Sequence, residues 1–117
     1  MTHKIERMSS ELKKEISLIL RNKLANPNVS PFSTVSDIIL SKDIKYATVF
    51  IIVSDLKDEK KTVDALNASA GFIRRELAST MSELRTIPAL HFKPDSSENY
   101  GRKIDSILNK ITYGDSE

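Results

Sequence analysis

The stretch Ala65–Leu77 reads ALNASAGFIRREL, and this segment decides the fold. Its apolar residues recur at helical spacing and can share one buried face: Leu66, Phe72, Ile73 and Leu77. Gly71 interrupts the pattern, and a glycine inside a helix costs about 1 kcal/mol relative to alanine. We therefore predict two helices that meet at a bend around Ser69-Ala70-Gly71.

A bend at this position has a chemical consequence. It exposes the first N–H groups of the second helix, and the N-termini of helices attract phosphate. Arg74 and Arg75 follow within the first turn, where they can add charge-assisted hydrogen bonds. Small side chains at Ser69-Ala70-Gly71 let a sugar-phosphate chain approach, although they could instead serve only close packing of the helices. The segment thus indicates a nucleic-acid backbone as the partner.

Upstream of the bend the pattern predicts one helix and two strands. Apolar residues recur at spacings of three and four over residues 4–24, and the helix ends at Asn26-Pro27, since the residue before proline disfavours helix. Two β-type runs follow, at Ser33–Leu40 and Tyr46–Ser54. Residues 41–45 are long enough for a hairpin turn, which predicts antiparallel pairing.

The alternation of side chains within these strands predicts one irregularity. The second run alternates regularly, with one face formed by Ala47, Val49, Ile51 and Val53. In the first run Val35 is out of phase with Ile38 and Leu40. A bulge near Ser36 or Asp37 would bring all three apolar side chains to the same face.

Downstream of the bend we predict that the second helix continues to Met81. A short strand follows at Ala89–Lys93, and a last helix begins at Ser96 or Ser97. The last helix would contain an apolar face formed by Tyr100, Ile104, Ile107, Leu108 and Ile111. Residues 1–112 would form a single domain, and residues 113–117 a flexible C-terminal tail.

The fold class follows from the order helix, strand, strand, helix, kink, helix, strand, helix. This order predicts an α+β domain with a three-stranded mixed sheet and its helices mainly on one face. The third strand is separated from the hairpin by a helical crossover. We expect it to lie parallel to the first strand and beside it, as the right-handed crossover rule allows.

Composition excludes several classes of function. The 117 residues include no cysteine and only two histidines, so thiol catalysis and Cys- or His-built metal centres are excluded. No hydrolase, P-loop or zinc-protease motif is present. We expect no catalytic residues, no cofactor and no metal.

The sequence also lacks membrane and export signals. No apolar run approaches the roughly 20 residues of a membrane span, and no signal-peptide core is present. This predicts a soluble, cytoplasmic protein without membrane or small-molecule partners.

The charge is close to balanced, with 18 basic and 16 acidic residues and a net charge of +2. The positive charge concentrates in residues 1–25 and in residues 72–93. From charge and position, Arg85 and Lys42 join Arg74 and Arg75 as candidate RNA contacts. The basic residues of the first helix more simply form a solvated face.

A second surface is predicted on the sheet. Tyr46, Phe50 and Ile52 occupy the strand face opposite the expected core. If they are exposed, they form an apolar contact surface suited to a protein–protein adaptor, for which RNA contact would be incidental. Alternatively the last helix covers them.

Four blocks of sequence carry a family resemblance. They are Ser41-Lys42-Asp43-Ile44-Lys45-Tyr46-Ala47, then Leu66-Asn67 with Ser69-Ala70-Gly71-Phe72-Ile73-Arg74, then Arg85-Thr86-Ile87-Pro88-Ala89-Leu90, and finally Asp95-Ser96-Ser97 with Tyr100-Gly101 and Ile104-Asp105. In this order, over nearly the whole chain, they resemble the ribosome-binding factor A family of bacterial small-subunit maturation proteins.

That resemblance implies a type II KH-like domain with a helix–kink–helix in place of the usual G-x-x-G clamp. The kink falls on Ser69, Ala70 and Gly71, where Ser69 replaces the family's alanine. The resemblance also implies binding to the free small (30S) ribosomal subunit near the decoding-region rRNA, assistance in processing of the 16S rRNA precursor, a role in the cold, and no catalytic residue or cofactor. A monomer is the simplest oligomeric state.

Overall fold

The structure is a computed structural model, and it describes residues 2–82 and 84–95. The predicted last helix and the predicted tail at 113–117 lie outside these residues. Six principal elements are present in the described part. In chain order they are α1 (Thr2–Asn22), β1 (Ser33–Leu40), β2 (Tyr46–Val53), α2 (Glu59–Ala68), α3 (Ala70–Thr80) and β3 (Ala89–Pro94), with a short 3₁₀ turn at Leu56–Asp58. None of the described helices has the length and apolarity needed to span a membrane.

The three strands form a mixed sheet in the order β1-β2-β3. β1 and β2 pair antiparallel, whereas β2 and β3 pair parallel. The prediction that the third strand lies beside the first and parallel to it is therefore wrong. Together α2 and α3 form a single crossover that returns the chain to the end of the sheet where β2 begins. There the Ala89 N–H donates to the Lys45 carbonyl at 2.9 Å, so β3 runs in the direction of β2.

The predicted bulge in β1 is confirmed. The register between β1 and β2 shifts between Val35 and Asp37. Because of this shift Val35 and Ile38 both point into the core, although they are three residues apart. The regular alternation of β2 is also confirmed, since Val49 and Ile51 are fully buried and Tyr46 and Ile52 are exposed on the other face.

The core lies between the buried face of the sheet and the helices. α1 contributes Leu12, Ile16 and Ile19, which recur at spacings of three and four and are almost fully buried. The helices after the hairpin contribute Leu66 on α2 and Ile73 and Leu77 on α3, and β3 contributes Phe92. The apolar face predicted for residues 65–77 is therefore real, and the described helices pack on one face of the sheet.

One polar side chain fixes α2 to the sheet. Asn67 accepts a hydrogen bond from the Phe92 N–H at 2.8 Å and donates one to the Phe92 carbonyl at 3.0 Å. Phe92 lies on β3, which is an edge strand, and its backbone groups point away from β2. The amide of Asn67 therefore satisfies two edge groups at once and stops another strand from pairing at this point.

We expect Asn67→Asp to lower the free energy of unfolding by about 1–3 kcal/mol. The aspartate can still accept from the Phe92 N–H but cannot donate to the Phe92 carbonyl, which it repels. Asn22→Asp is the matched control, because Asn22 is exposed and also stands in the last turn of a helix. Urea unfolding measures both variants. Equal losses in the two would show that the paired hydrogen bonds contribute nothing beyond the effect of charge.

Candidate nucleic-acid interface

The bend between α2 and α3 is centred on Ser69. The Ser69 N–H closes α2 by donating to the carbonyls of Ala65 and Leu66, each at 3.0 Å. The Ser69 carbonyl opens α3 by accepting from the Ile73 N–H at 3.0 Å. The two helices share this residue as C-cap and N-cap, with φ −95° and ψ 6°. The predicted helix–kink–helix is therefore present, and the N–H groups of residues 70–72 have no partner within α3.

Gly71 does not cause the bend. It lies in the first turn of α3, and its backbone does not adopt the left-handed conformation that would require glycine. A Cβ placed on Gly71 would meet the Arg75 Nη1 atom at 3.8 Å, which is ordinary van der Waals contact. The conformation of the chain therefore gives no reason for a glycine at this position.

The three small residues differ in exposure. Ala70 is half-buried and packs against the core, so its small size serves helix packing. Ser69 is also half-buried, and its hydroxyl lies 3.5 Å from the Asn26 Nδ2 atom, a long and weak hydrogen bond. Gly71 is exposed. The close-packing explanation therefore applies to Ala70, whereas Gly71 presents bare backbone to the outside.

The two arginines of α3 have different surroundings. The Arg75 guanidinium folds back over Gly71, as the 3.8 Å approach shows. Arg74 donates from Nη2 to the Ile87 carbonyl at 3.0 Å and so ties α3 to the segment before β3. Both side chains are exposed. Arg75 thus places its charge at the start of α3, whereas part of the hydrogen-bonding capacity of Arg74 is used within the fold.

The structure brings the remaining predicted cations to one end of the sheet. Arg85 is exposed and stands two residues before the Ile87 carbonyl that Arg74 binds. Lys42 is exposed in the turn between β1 and β2, and the last residue of that turn, Lys45, bonds to the start of β3. Lys42, Arg74 and Arg85 therefore belong to the end of the sheet where β3 begins, and Arg75 belongs to the kink.

The turn that holds Lys42 is well defined. The Asp43 carboxylate accepts from the Ser41 hydroxyl at 2.7 Å and from the Lys45 N–H at 3.1 Å. The Ser41 hydrogen bond, followed by that of Lys45, lowers the pKa of Asp43 below its ordinary value. Ile44 adopts a left-handed φ of 62° while its side chain packs against the core. The two hydrogen bonds to the Asp43 carboxylate thus hold the turn that contains Lys42.

Sequence reasoning missed one pair that shapes the charge of the kink. Lys23, just beyond the end of α1, forms an ion pair with Glu76 at 3.0 Å. Glu76 follows Arg75 directly, and Lys23 neutralises it. Among the described residues no carboxylate lies within ion-pair distance of Arg75. The two partners are 53 residues apart, so no local pattern could have revealed the pair.

Comparison with known proteins identifies the family of this arrangement. A family model described as "Ribosome-binding factor A" matches residues 4–108. The ribosome-binding factor A of Macrococcus caseolyticus is 40% identical over 112 residues, which cover 95% of this chain and 96% of the relative. That of Clostridium tetani is 42% identical over 106 residues, which cover 90% of this chain and 87% of the relative.

Solved structures agree with the fold. A Thermotoga maritima protein assigned as a ribosome binding factor A superposes with a TM-score of 0.69 at 31% identity, covering 79% of this chain and 87% of its own. Ribosome-binding factor A from Thermus thermophilus superposes with a TM-score of 0.68 at 23% identity, and the match covers 77% of this chain and 94% of the Thermus chain. A homology model of the Thermus thermophilus factor has been fitted into a cryo-EM map of a 30S–RbfA complex. It superposes with a TM-score of 0.61 at 25% identity, and the match covers 73% of this chain and 88% of the other. The expected α+β, KH-like architecture is confirmed.

We expect Gly71→Ala to raise the free energy of unfolding by about 0.5–1 kcal/mol. The helical backbone and the 3.8 Å distance to Arg75 accommodate the added methyl group, and alanine is the better helix former. Ala70→Gly is the control and should destabilise, because Ala70 packs against the core. Chemical denaturation measures both. A loss of stability in Gly71→Ala would show that packing within the fold requires this glycine.

Proposed function

Because this chain belongs to the ribosome-binding factor A family, we propose that it binds the free small ribosomal subunit. The family model covers residues 4–108, and a Thermus thermophilus relative has been fitted into a map of its complex with the 30S subunit. The site that supports this function best is the kink between α2 and α3. Its partner there is the phosphate backbone of the 16S rRNA.

One observation supports this site more than any other. The bare backbone of Gly71 and the guanidinium of Arg75 lie together at the exposed N-terminus of α3. N–H groups of the first helical turn and a guanidinium are both good donors to phosphate oxygens. Glu76, the acidic residue that follows Arg75 in the chain, is paired with Lys23. A phosphate that approaches Gly71 closely can therefore accept from the backbone and from Arg75 at once.

The other cations have supporting roles in this proposal. Arg74 positions α3 against the segment before β3, and its remaining N–H groups are available to a second phosphate. Arg85 and Lys42, at the end of the sheet where β3 begins, extend the contact along the rRNA. Ser69 and Ala70 shape the kink. These contacts position the protein on a folded rRNA junction and do not read base identity.

The proposed activity is assembly without catalysis. The protein needs no cofactor and acts by binding immature subunits more tightly than mature ones, since a ligand with equal affinity for two states shifts neither. Such a preference would favour the form of the 16S precursor that processing enzymes accept and would matter most in the cold. A cytoplasmic monomer suffices for this role. The module comprises residues 1–112, followed by a short tail.

A second candidate function rests on the other face of the sheet. Ile39, Tyr46 and Ile52 are exposed there, and Phe50 is half-buried among them. An apolar face of this kind suits a protein partner. In that case the protein would act as an adaptor, and its contact with RNA would be incidental.

We expect Arg75→Glu to weaken binding to free 30S subunits about ten- to a hundredfold, because a charge-assisted hydrogen bond contributes about 1.5–3 kcal/mol. Arg7→Glu is the matched control, since it makes the same change of charge on the exposed surface of α1. Sedimentation with purified subunits measures both. Equal weakening in the two variants would show that net charge, and not the position of Arg75, determines the affinity. Unchanged binding of Arg75→Glu would show that the kink is not part of the interface.

We also expect a steep dependence of binding on salt. Each neutralised phosphate contributes about 0.7–0.9 to the slope of log K against log salt concentration. The wild-type slope should therefore be about 3 if Lys42, Arg74, Arg75 and Arg85 all contact phosphate, and Arg75→Gln should lower it by about 1. Titration from low to high salt measures both slopes. A nearly flat response would favour the adaptor.

A further inference from the structure

The two edges of the sheet differ in how they are protected against pairing. The order β1-β2-β3 makes β1 and β3 the edge strands in the described part of the chain. On β3 the side chain of Asn67 occupies both backbone groups of Phe92. The sequence of β1, STVSDIIL, includes neither the lysine nor the proline that often protects an edge. No described side chain caps the outer backbone groups of β1 as Asn67 caps β3, so this edge is open to pairing.

Two hydrogen bonds identify the backbone groups of β1 that point outwards. The Ser41 N–H, just after β1, donates to the first carbonyl of β2 at 2.9 Å. Because the pairing of antiparallel strands alternates, the backbone groups of Ile38 point away from β2. The Ser33 N–H donates at 3.2 Å to the loop before β1 and not to β2. By the same alternation Val35 also directs its N–H and C=O to the outer edge.

A cavity of about 410 Å³ lies beside this edge, between β1 and α1. Its wall on β1 is formed by three consecutive residues, Ser33–Val35, and its wall on α1 includes Leu20 and Arg21. Successive residues of a strand point to opposite faces of the sheet. A cavity that touches all three therefore follows the edge of the strand. This cavity, here called the edge groove, has a volume typical of ligand sites, which measure about 300–1,000 Å³.

The edge groove combines apolar side chains with one cation. Leu20, Leu24 and Val29 line it, and all three are half-buried and pack against the core. Arg21 also lines it and is exposed. None of the ion pairs among the described residues involves Arg21, and no carboxylate is among the residues that line the groove. The groove is therefore suited to a ligand that has both apolar groups and negative charge.

We propose that the edge groove binds an extended acidic peptide segment of another protein, which pairs with the outer edge of β1 as an added strand. The edge presents N–H donors and C=O acceptors in alternation, a pattern that an extended backbone matches, whereas a phosphate offers acceptors alone. In this arrangement apolar side chains of the segment pack on Leu20, Leu24 and Val29, and one of its carboxylates binds Arg21. The groove is separate from the kink between α2 and α3.

A direct test adds the capped peptide Val-Val-Glu-Glu-Val-Val to the full chain and follows amide hydrogen exchange by NMR. As a strand, this peptide carries valine and glutamate on both of its faces. In the free protein we expect the Val35 amide to exchange faster than the Ile39 amide, which points to β2. Bound peptide should slow the exchange of Val35 about tenfold or more.

Two results of this experiment would overturn the proposal. A Val35 amide that is as protected as that of Ile39 before any peptide is added would show that the edge is already covered. A peptide that leaves Val35 unprotected and shifts only the resonances of Tyr46 and Ile52 would bind the face of the sheet and not its edge.

Two control peptides separate charge from backbone pairing. In Val-Val-Lys-Lys-Val-Val the apolar groups and the backbone are kept, but the charge has the sign of Arg21, so we expect binding at least about tenfold weaker. In the glutamate peptide with a methylated backbone the charge is kept, but the N–H donors are lost, so the protection of Val35 should disappear. Equal binding of either control and the glutamate peptide would contradict the proposal.

A pair of variants tests the cation of the groove. We expect Arg21→Glu to weaken binding of the glutamate peptide about tenfold or more, since it removes a charge-assisted hydrogen bond. Arg7→Glu is the matched control, because it makes the same change of charge on the exposed surface of α1, outside the groove. Equal weakening in both variants would show that Arg21 does not bind the peptide and would overturn the proposal. These measurements use the protein without ribosomal subunits, so their outcome is independent of the assignment of the kink to RNA binding.

Discussion

The break in backbone hydrogen bonding at Ser69 is the constraint on which the rest of the structure depends. The residue closes α2 with its N–H and opens α3 with its carbonyl. Leu66, before the break, and Ile73, after it, both lie in the core. The break changes the direction of the chain between α2 and α3, and it leaves the first N–H groups of α3 without a partner inside the helix.

The same break positions the residues of the proposed RNA-binding site. Asn67, two residues before it, holds the edge of β3, and Arg74, five residues after it, holds the segment that leads into β3. These two contacts fix the position of the bend relative to the sheet. Gly71 and Arg75 are therefore presented on a rigid support, which favours a precise contact with a folded RNA. Glycine at position 71 makes the helix less stable than alanine would, and the fold itself does not need a glycine there. A glycine is expected where a ligand approaches the backbone closely.

Much of the fold could be predicted because its signals are local. The bend, the alternation of β2 and the bulge near Ser36 each follow from residues within one short segment, and all three are confirmed. The order of the strands could not be predicted in this way. The crossover rule permits the third strand beside either member of the hairpin, and the choice depends on where α2 and α3 together return the chain. The predicted last helix lies outside the described residues.

The candidate site was only partly predictable for the same reason. Small residues and arginines at a helix start are visible in the sequence, but their division of roles is not. Only the structure shows that Arg74 binds the Ile87 carbonyl and that Lys23 neutralises Glu76. Arg75 thereby becomes the main charge of the kink. Charge counting alone gave equal weight to all the candidate cations.

The measurement that tests this account most directly is a cryo-EM structure of the protein bound to free 30S subunits. We expect an rRNA phosphate within hydrogen-bonding distance of the Gly71 backbone and of the Arg75 guanidinium, with the face of the sheet that contains Tyr46 turned away from the RNA. A complex in which the kink faces solvent and the sheet lies against a ribosomal protein would contradict it.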